Sequence, residues 1–242
     1  MKLQTKIYDP PPGARCGLTE VVVYYRPGTS DEDALHEVLI NKTYRRARSG
    51  FDVLPGEHWL DLGANIGAFA IYCQLRGAKV TCYEPMLDCF EILTKNHPDG
   101  PNILSAVTAS KLDTLPFFTS SNDKNHWRGT MKPVQGYKPA GVVRNTYGGA
   151  FQKMQFDGVK MDIEGAEGEL IDSWLLPPCE KLVLEYHTSR CSSVTALERR
   201  IKELHQHFTH VMYPKEFDRV IAEQRETYQP RFDKLIFCWG AR

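Results

Sequence analysis

The sequence lacks an excess of charge of either sign. Lysine and arginine total 30, aspartate and glutamate total 30, and the formal net charge is zero. Attraction to nucleic acid over a broad surface needs a basic excess or a basic stripe, so we expect no nucleic-acid partner. Two short basic clusters, at residues 45–48 and 199–202, are predicted to be solvated faces of helices.

Paired cysteines and long apolar runs are also missing. The seven cysteines are odd in number and none forms a C-x-x-C pair, which argues against a zinc site or redox motif and favours a reducing compartment. No apolar run approaches the roughly 20 residues of a membrane span, and the first residues have no signal-peptide core. We therefore expect a cytoplasmic protein without a membrane partner.

The sequence has instead an alternation of short apolar runs and helical patterns. The predicted strands cover residues 18–25, 58–62, 79–83, 102–109, 158–163, 181–186, 211–213 and 234–239. The predicted helices cover residues 31–48, capped by Ser30, and residues 68–76, 87–96, 167–174 and 194–207. This alternation predicts an α/β fold, a largely parallel sheet with helices on both faces. With 242 residues, the chain fits a single domain over residues 1–242.

Two stretches do not fit this alternation. Residues 1–30 are rich in proline and glycine and are predicted to form an N-terminal arm with a strand or hairpin. Residues 117–154 are predicted to be an irregular insertion on the substrate side, because long irregular segments in α/β domains are usually functional or disordered. Three residues of this segment are candidates to stack on a sugar or to bind an anionic group: His126, Trp127 and Arg128. Trp127 has an alternative role, as a buried side chain that anchors the loop.

The strongest motif is D-L-G-A-N-I-G at residues 61–67, a strand end followed by a glycine turn and a helix start. Gly63 permits a tight turn, and Gly67 permits close backbone approach, so that helix N–H groups can face a ligand. The spacing differs from the G-x-G-x-x-G pattern that makes room for a dinucleotide pyrophosphate. A cofactor without phosphate, such as S-adenosylmethionine, fits this looser turn, and Asp61 suits its cationic amino-acid part.

Acidic residues follow three further predicted strands, where open α/β sheets bind ligands. Glu84 ends the run C-Y-E-P, at a position where an acid can accept hydrogen bonds from both ribose hydroxyls of a nucleoside. Asp162 and Glu164 fall at the carboxyl end of the strand predicted over residues 158–163, in K-M-D-I-E-G-A-E. Glu185 and His187 end L-E-Y-H and share one face, because the strand period is two.

Together, D-L-G-A-N-I-G, C-Y-E-P, V-K-M-D-I-E-G-A-E and L-E-Y-H resemble the FkbM family of methyltransferases, over roughly residues 35–190. The resemblance implies a Rossmann-like class I fold with a seven-stranded sheet, S-adenosylmethionine as cofactor, and typically O-methylation of sugar or polyketide hydroxyls. It implies a cofactor site at the glycine turn and the next strand end: Asp61, Gly63, Ala64, Asn65, Gly67, Glu84 and Pro85. It places Asp162, Glu164, Glu185 and His187 at the rim where substrate would lie.

Transfer to a hydroxyl requires removal of its proton, because a protonated hydroxyl is a poor nucleophile. We predict His187 as the general base, oriented by Asp162 or Glu185. The alternative is Mg²⁺ held by Asp162 and Glu164, with Glu185 as a further candidate ligand, because hard cations take carboxylate oxygens. The sequence leaves both open.

Other functions are also open. A nicotinamide oxidoreductase would need a phosphate-compatible glycine loop, which is absent. The D-P-P-P run at residues 9–12 resembles a box of base methyltransferases, but the aromatic that would stack on a flipped base is missing. A protein side chain is a further candidate acceptor. A non-catalytic module would not need the polar groups at the strand ends, so methylation of a glycan or small-molecule hydroxyl is the favoured hypothesis.

Overall fold

The computed structural model describes residues 3–8, 20–121, 129–133, 135–187, 194–222 and 233–241. Its strands are β1 (Gln4–Tyr8), β2 (Val21–Tyr25), β3 (His58–Leu62), β4 (Lys79–Glu84), β5 (Asn102–Leu104), β6 (Ala106–Thr108), β7 (Thr114–Ser120), β8 (Gly129–Thr130), β9 (Tyr137–Tyr147), β10 (Phe156–Met161), β11 (Cys179–His187), β12 (Phe208–Met212) and β13 (Asp233–Ala241). Its helices are α1 (Ser30–Leu35), α2 (Ala68–Arg76), α3 (Leu87–Asn96), α4 (Glu167–Asp172), α5 (Val194–His207) and α6 (Lys215–Ala222), with 3₁₀ segments at Ala47–Ser49 and Gly148–Lys153.

Seven strands form the main sheet in the order β12-β13-β11-β10-β3-β4-β5. The strands from β11 to β5 are parallel, whereas β13 runs antiparallel to both of its neighbours. The predicted fold class, a mostly parallel seven-stranded α/β sheet, is confirmed. From the central pair β3 and β10 the chain proceeds outward in opposite directions, and open α/β sheets bind ligands at the carboxyl ends of strands at such a switch point.

Helices cover the main sheet on both faces, because neighbouring side chains of a strand point to opposite sides. Trp59 of β3 is fully buried in one core with Phe69 of α2 and Leu93 of α3. The next residue, Leu60, is fully buried in the other core with Leu170 of α4. The predicted placement of helices on both faces is confirmed.

The N-terminal arm is tied to the main domain through α3. β1 and β2 pair antiparallel, which confirms the predicted strand or hairpin for the described residues. Asn96 accepts a hydrogen bond from the Tyr24 N–H (2.7 Å) and donates to the Tyr24 carbonyl (3.0 Å) and the Ile66 carbonyl (2.6 Å). A single buried amide therefore joins the arm, α3 and the glycine turn.

The helix predicted over residues 31–48 is shorter in the structure. α1 passes into a wider π-type turn over His36–Ile40, and Lys42 then adopts a left-handed backbone with φ of 53°. The hydroxyl of Thr43 donates to the Glu37 carbonyl (2.7 Å), so that a side chain satisfies one of the terminal carbonyls. The helix ends here because local side-chain bonding replaces its next turn.

The cap of α1 also differs from the prediction. Thr29, rather than Ser30, is the N-cap, and its hydroxyl accepts a hydrogen bond from the Asp31 N–H (3.2 Å). Asp31 is itself fully buried and forms an ion pair with Arg26 (2.8 Å). This contact fixes where the helix begins.

The two basic clusters are only in part the solvated helix faces that were predicted. Arg45 lies outside the helices and pairs with Asp52 (3.0 Å). Arg200 is buried and pairs with Asp172 (2.8 Å). Lys202, by contrast, has an exposed side chain, as expected. Packing against neighbouring acids buries Arg200 and leaves Arg45 partly exposed, which the charge pattern does not reveal.

The strand predicted over residues 102–109 consists of two strands in different sheets. β5 pairs with β4 in the main sheet, and β6 pairs with β9 in a second sheet. Between them, the Ser105 N–H donates to the Glu84 carbonyl (3.1 Å) and the Ser105 hydroxyl donates to the Ala106 carbonyl (2.9 Å). A serine that bonds to nearby backbone competes with the strand ladder, and the chain changes sheet at this residue.

Residues 117–154 are largely ordered into strands, so the irregular segment predicted there is wrong for the described residues. β7, β8 and β9 join β6 in a four-stranded sheet of order β6-β9-β7-β8. Prolines and glycine inside these strands hide the β pattern in the sequence: Pro116, Pro139 and Gly141. The predicted substrate-side residues lie outside the described residues: His126, Trp127 and Arg128.

Within the ranges that the structure describes, no helix is long and apolar enough to cross a membrane. The cysteines in those ranges are free thiols: Cys73, Cys82, Cys89, Cys179 and Cys238.

The start of α2 provides a test of close packing. Gly67 has φ of 89°, and a Cβ there would lie 2.9 Å from Leu93 Cδ1. We expect Gly67→Ala to lower the free energy of unfolding by about 2–4 kcal/mol, from left-handed strain and overpacking together. Gly56→Ala is the matched control, with φ of 88° and no atom within 4 Å of the added Cβ, and it should cost only about 1–2 kcal/mol. Urea denaturation measures both, and equal losses would contradict the packing argument.

Candidate functional site

A cavity of about 210 Å³ opens at the carboxyl ends of β3, β4, β10 and β11. Five of the residues predicted to contact a cofactor line it: Gly63, Ala64, Asn65, Glu84 and Pro85. The four predicted catalytic residues line the same cavity: Asp162, Glu164, Glu185 and His187. The sheet therefore brings together side chains that are far apart in the sequence.

The turn after β3 lies directly against β10. Gly63 has φ of 82°, and a Cβ there would lie 1.8 Å from the Asp162 carbonyl oxygen, so that only glycine fits. The N–H groups of Gly63 and Ala64 both donate to the Tyr83 carbonyl (2.9 Å). Asn65 follows with φ of 52°, a left-handed conformation that asparagine tolerates better than most residues. The backbone of this turn is thus held rigidly at the cavity.

Glu84 braces the turn from the end of β4. Its Oε2 accepts a hydrogen bond from the Asn65 N–H (2.7 Å), and its Oε1 accepts one from the Met86 N–H (2.8 Å). Burial raises the pKa of Glu84 to about 7, although these two hydrogen bonds act in the opposite direction. Carboxylate oxygens have further lone pairs, so Glu84 can still accept hydrogen bonds from a ligand.

Asp61 lies behind the cavity wall and is not among the residues that line the cavity, so its contact with a cofactor stays a prediction. Its carboxylate is fully buried, 3.1 Å from the ammonium of Lys160. Lys160 lines the cavity, donates to the Gly63 carbonyl (2.7 Å) and lies 3.9 Å from Asp162 Oδ2. Burial lowers the pKa of Lys160, but Asp61 and Asp162 raise it by more, so the lysine stays charged. Asp61 therefore influences the cavity by helping to keep Lys160 charged.

Gly67 is not among the residues that line the cavity, and its contact with a cofactor stays a prediction. The space beside it is filled by Leu93 and Asn96 of α3. Glycine is required there for the packing of two helices. α2 still presents Ala68 and Phe69 to the cavity.

His187 ends β11 with carboxylates near both ring nitrogens. Its Nδ1 lies 2.8 Å from Oε1 of Glu167. Its Nε2 lies 3.4 Å from Oε2 of Glu164 and 3.9 Å from Oδ1 of Asp162. The carboxylate that orients the ring is therefore Glu167, and not Asp162 or Glu185 as predicted.

Glu167 is itself held in place by the backbone around it. It is fully buried and accepts hydrogen bonds from the Ile163 N–H (3.1 Å) and the Gly165 N–H (3.0 Å). Burial raises the pKa of Glu167, but His187 and the Gly165 N–H lower it below its usual value overall. An ionised carboxylate only accepts hydrogen bonds, so Nδ1 of His187 carries a proton.

The protonation of His187 conflicts with its predicted role as a general base. Burial by itself lowers the pKa of His187, but Glu167, Asp162 and Glu185 raise it well above its usual value. These carboxylates therefore favour the doubly protonated ring. A protonated imidazole cannot take a proton from a hydroxyl.

Glu164 holds its position at some conformational cost. Its φ is 55°, and a left-handed backbone costs a residue with a Cβ about 1–2 kcal/mol. Its carbonyl accepts a hydrogen bond from the Thr130 hydroxyl (2.9 Å), which links the second sheet to the site. Strained residues of this kind concentrate at functional sites.

The second sheet and the region after α1 complete the cavity wall. Phe117 and Met131 line it from the second sheet, and Glu37 and Tyr44 line it from the other direction. Burial raises the pKa of Glu37, and the charge of Asp162 raises it further. The charge of Asp162 therefore makes ionisation of Glu37 less favourable.

The charge of the cavity wall is strongly negative. Among the described residues that line it, the carboxylates belong to Glu37, Glu84, Asp162, Glu164 and Glu185, and the basic groups to Lys160 and His187. Glu167 adds a further carboxylate behind His187. The site therefore favours a cationic ligand over an anionic one.

The sequence analysis missed several of these residues: Glu37, Tyr44, Lys160 and Glu167. A lysine inside the apolar run G-V-K-M is a signal that could have identified Lys160, because lysine is seldom fully buried without a partner. Glu167 fits the pattern of a helix-capping acid, which conceals its contact with His187. Glu37 and Tyr44 reach the cavity only through the tertiary fold.

No family model matches the chain, and no curated protein matches it; the resemblance to the FkbM family stays a prediction. Among solved structures, the chain is similar to a Pyrococcus abyssi tRNA (uracil-54, C5)-methyltransferase in complex with S-adenosyl-L-homocysteine, with 13% identity over 92% of this chain and 42% of that one, at a TM-score of 0.41. It is also similar to a T. thermophilus 16S rRNA N2 G1207 methyltransferase in complex with AdoMet and guanosine (16% identity, 98% of this chain, 50% of that one, TM-score 0.44).

A third similar structure is the C-terminal domain of a Rhodobacter capsulatus precorrin-6Y C5,15-methyltransferase, with 14% identity over 89% of this chain and 98% of that one, at a TM-score of 0.43. The chain spans half or less of the two RNA methyltransferases, 42% and 50% of their lengths. TM-scores this low establish neither a family nor a substrate for this chain.

The pair formed by Glu167 and His187 gives a pH-dependent prediction. The lowered pKa of Glu167 stabilises the fold above the carboxyl pKa of the unfolded chain, and this contribution is lost as the pH falls through the folded value. The raised pKa of His187 stabilises the fold below about pH 6.5, and this contribution is lost as the pH rises through the raised folded value. At a pH between the folded-state pKa of Glu167 and that of His187, both side chains of the pair are ionised.

We expect Glu167→Gln to lower the pKa of His187, because a neutral amide replaces the ionised carboxylate at Nδ1. The substitution should also cost about 3 kcal/mol of unfolding free energy at neutral pH, since it leaves a buried charge without its partner. NMR titration of the His187 ring and urea denaturation measure the two effects. Glu169→Gln, in the same helix with a half-exposed side chain, should change neither. An unchanged His187 pKa in Glu167→Gln would contradict the assignment.

Proposed function

We propose that this chain is an S-adenosylmethionine-dependent methyltransferase that methylates a hydroxyl of a glycan or a related small molecule. The observation that carries the proposal is the acidic cavity at the switch point of the sheet. Among the described residues, its wall bears five carboxylates against one lysine and one histidine. Such a wall suits a cofactor that carries a sulfonium and an ammonium group and has no phosphate.

The residues present fit this cofactor. The Asn65 side-chain oxygen is buried and has no hydrogen-bond partner among the described residues. A buried polar atom without a partner is costly, and a donor on a bound ligand would satisfy it. When bound, the cofactor supplies an electrophilic methyl group on sulfur.

The residues in and around the turn would contact different parts of the cofactor. Glu84 would accept hydrogen bonds from the ribose hydroxyls, as acids at this position do in nucleotide sites. Gly63 allows the ligand to approach the backbone closely, because it carries no side chain. Lys160 donates a hydrogen bond to the Gly63 carbonyl and forms an ion pair with Asp61, and its ammonium would also contact the carboxylate of the cofactor.

The acceptor would enter at the end of the cavity lined by Asp162, Glu164 and Glu185. Their carboxylates can accept the hydrogen bond of a hydroxyl and so align its oxygen, and alignment is a large part of what a protein contributes to a displacement. Phe117 and Met131 add apolar wall in the same cavity. The choice of O-methylation and of a glycan acceptor rests on the resemblance to the FkbM family.

The competing functions have less support. A nicotinamide dinucleotide would bring its pyrophosphate against the carboxylates, which repel it. An acceptor within nucleic acid would meet the same repulsion through its phosphates. A non-catalytic module gives no account of the strained Glu164 backbone. No specific contact favours a protein side chain as acceptor.

Calorimetric titration is the first test of the cofactor. We expect S-adenosylmethionine and S-adenosylhomocysteine to bind with micromolar affinity and NAD not to bind. Glu84→Gln should weaken both about tenfold or more, because charge-assisted hydrogen bonds to ribose are lost. Glu91→Gln, on the exposed side of α3, is the matched control and should leave affinity unchanged. Absence of binding to either ligand would overturn the proposed function.

The pKa of Glu84 adds a pH test to the same titration. Because burial raises this pKa to about 7, the carboxylate is ionised only above that pH. The affinity of the wild type for S-adenosylhomocysteine should therefore rise between about pH 6 and pH 8, whereas Glu84→Gln should show no such rise. A rise of equal size in the variant would assign the titration to another group.

Methyl transfer to a panel of sugars and glycans tests the acceptor end. We expect His187→Ala to reduce turnover by about 100-fold, because the carboxylates around His187 lose the group that fixes their geometry. Its affinity for S-adenosylhomocysteine should stay near that of the wild type, since the glycine turn is untouched. Unchanged turnover would exclude His187 from the acceptor end.

A further inference from the structure

The environment of His187 contains a nitrogen that the proposed methyl transfer does not use. The ring is 2% exposed, and its Nδ1 is committed to Glu167 at 2.8 Å. Its Nε2 faces the cavity and makes no hydrogen bond to any residue that the structure describes. The nearest atoms are Glu164 Oε2 at 3.4 Å and Asp162 Oδ1 at 3.9 Å.

The shorter of these separations matches that between two ligands of one metal ion, and the longer one is close to it. Two atoms bound to the same ion at about 2.1 Å lie roughly 3.0–3.5 Å apart. The distance from Nε2 to Glu164 falls in that range, and the distance to Asp162 needs a shift of a few tenths of an ångström. Asp162 is partly exposed at the cavity and has room for such a shift.

Glu167 supplies the support that a metal-binding histidine requires. Such a histidine usually donates its other ring N–H to a carboxylate, which fixes the ring and its tautomer. Glu167 accepts this hydrogen bond and is held by the N–H groups of Ile163 and Gly165. Glu167 lies within 4.8 Å of both Asp162 and His187, but its bond to Nδ1 makes it a support rather than a ligand.

We propose that Nε2 of His187, with Asp162 and Glu164, binds a divalent transition-metal ion. One imidazole nitrogen and two carboxylates suit Mn²⁺, Fe²⁺, Co²⁺ or Zn²⁺ better than Mg²⁺, which prefers oxygen ligands. This differs from the Mg²⁺ site predicted from the acids alone, because it makes His187 a ligand. Glu185 lines the same cavity and adds negative charge toward the ion.

Charge balance also favours an ion at this position. Three carboxylates lie within 4 Å of the imidazole nitrogens, those of Asp162, Glu164 and Glu167. A divalent cation in place of the Nε2 proton would offset more of this negative charge than the proton does. An ion here would also lower the pKa of a bound hydroxyl, a role that rests on the proposed function; metal binding itself does not.

The test is a titration of the whole chain with Mn²⁺, followed by the electron paramagnetic resonance signal of the free ion and by calorimetry. We expect one Mn²⁺ per chain with micromolar affinity, and Mg²⁺ at least about tenfold weaker. Co²⁺ should give visible absorption bands that change when His187 is replaced. Thermal unfolding with and without Mn²⁺ gives an independent readout.

Two variants test proposed ligands, and a third tests the support. Asp162→Asn and His187→Gln should each weaken Mn²⁺ about tenfold or more, and Glu167→Gln should weaken it about 10–100-fold through loss of support. Glu180→Gln, at the exposed opposite end of β11, is the control and should bind as the wild type does. Asp162→Asn alters a partly exposed side chain, so it keeps the test valid if His187→Gln fails to fold.

The outcomes separate this proposal from the proposed function. No Mn²⁺ binding by a chain that binds S-adenosylhomocysteine would overturn the metal site and leave the methyltransferase proposal standing. Binding of Mn²⁺ by a chain that does not bind S-adenosylhomocysteine would support the metal site and overturn the methyltransferase proposal. Equal affinity for Mg²⁺ and Mn²⁺, or no effect of the Asp162 and His187 substitutions, would show adventitious binding to surface carboxylates and would also overturn the site.

Discussion

The buried ion pair of Lys160 and Asp61 is the interaction on which the cavity depends. Lys160 comes from β10 and Asp61 from β3, the two central strands, and their charged atoms lie 3.1 Å apart. The same ammonium holds the carbonyl of Gly63 at 2.7 Å. Loss of one member of a buried pair leaves the other uncompensated, which typically costs about 3–5 kcal/mol. The strand pairing, the shape of the glycine turn and one wall of the cavity thus depend on one lysine.

The negative charge of the site results from how this pair is used. Asp61 lies behind the cavity wall and pairs with Lys160. The positive charge of Lys160 therefore compensates little of the negative charge of the acids that face the cavity. His187 is balanced in the same way by Glu167, which lies away from the cavity surface. Both basic groups are paired with buried acids, and further carboxylates among the described residues face the cavity. The proposed cationic cofactor and the proposed metal ion would both be favoured by that arrangement.

Much of the fold could be predicted from the sequence, and the failures have local causes. The strands that end at Leu62 and Glu84 were predicted within a residue, because apolar runs followed by glycine or proline are unambiguous. The helix predicted to reach Arg48 stops early at the left-handed Lys42, and a strand breaks at Ser105, where a hydroxyl bonds to the backbone. The second sheet was missed because its strands contain proline and glycine.

The sequence by itself determined which strands end in polar residues, and parallel strands necessarily bring those ends to one edge. It therefore placed Glu84, Asp162 and His187 near one another without knowledge of any contact. Only the tertiary structure decided which acid bonds to which base: Asp61 is withdrawn to Lys160, and Glu167 takes Nδ1 of His187. Those choices depend on burial and on distances of a few ångströms across strands, and a linear pattern carries no information about either.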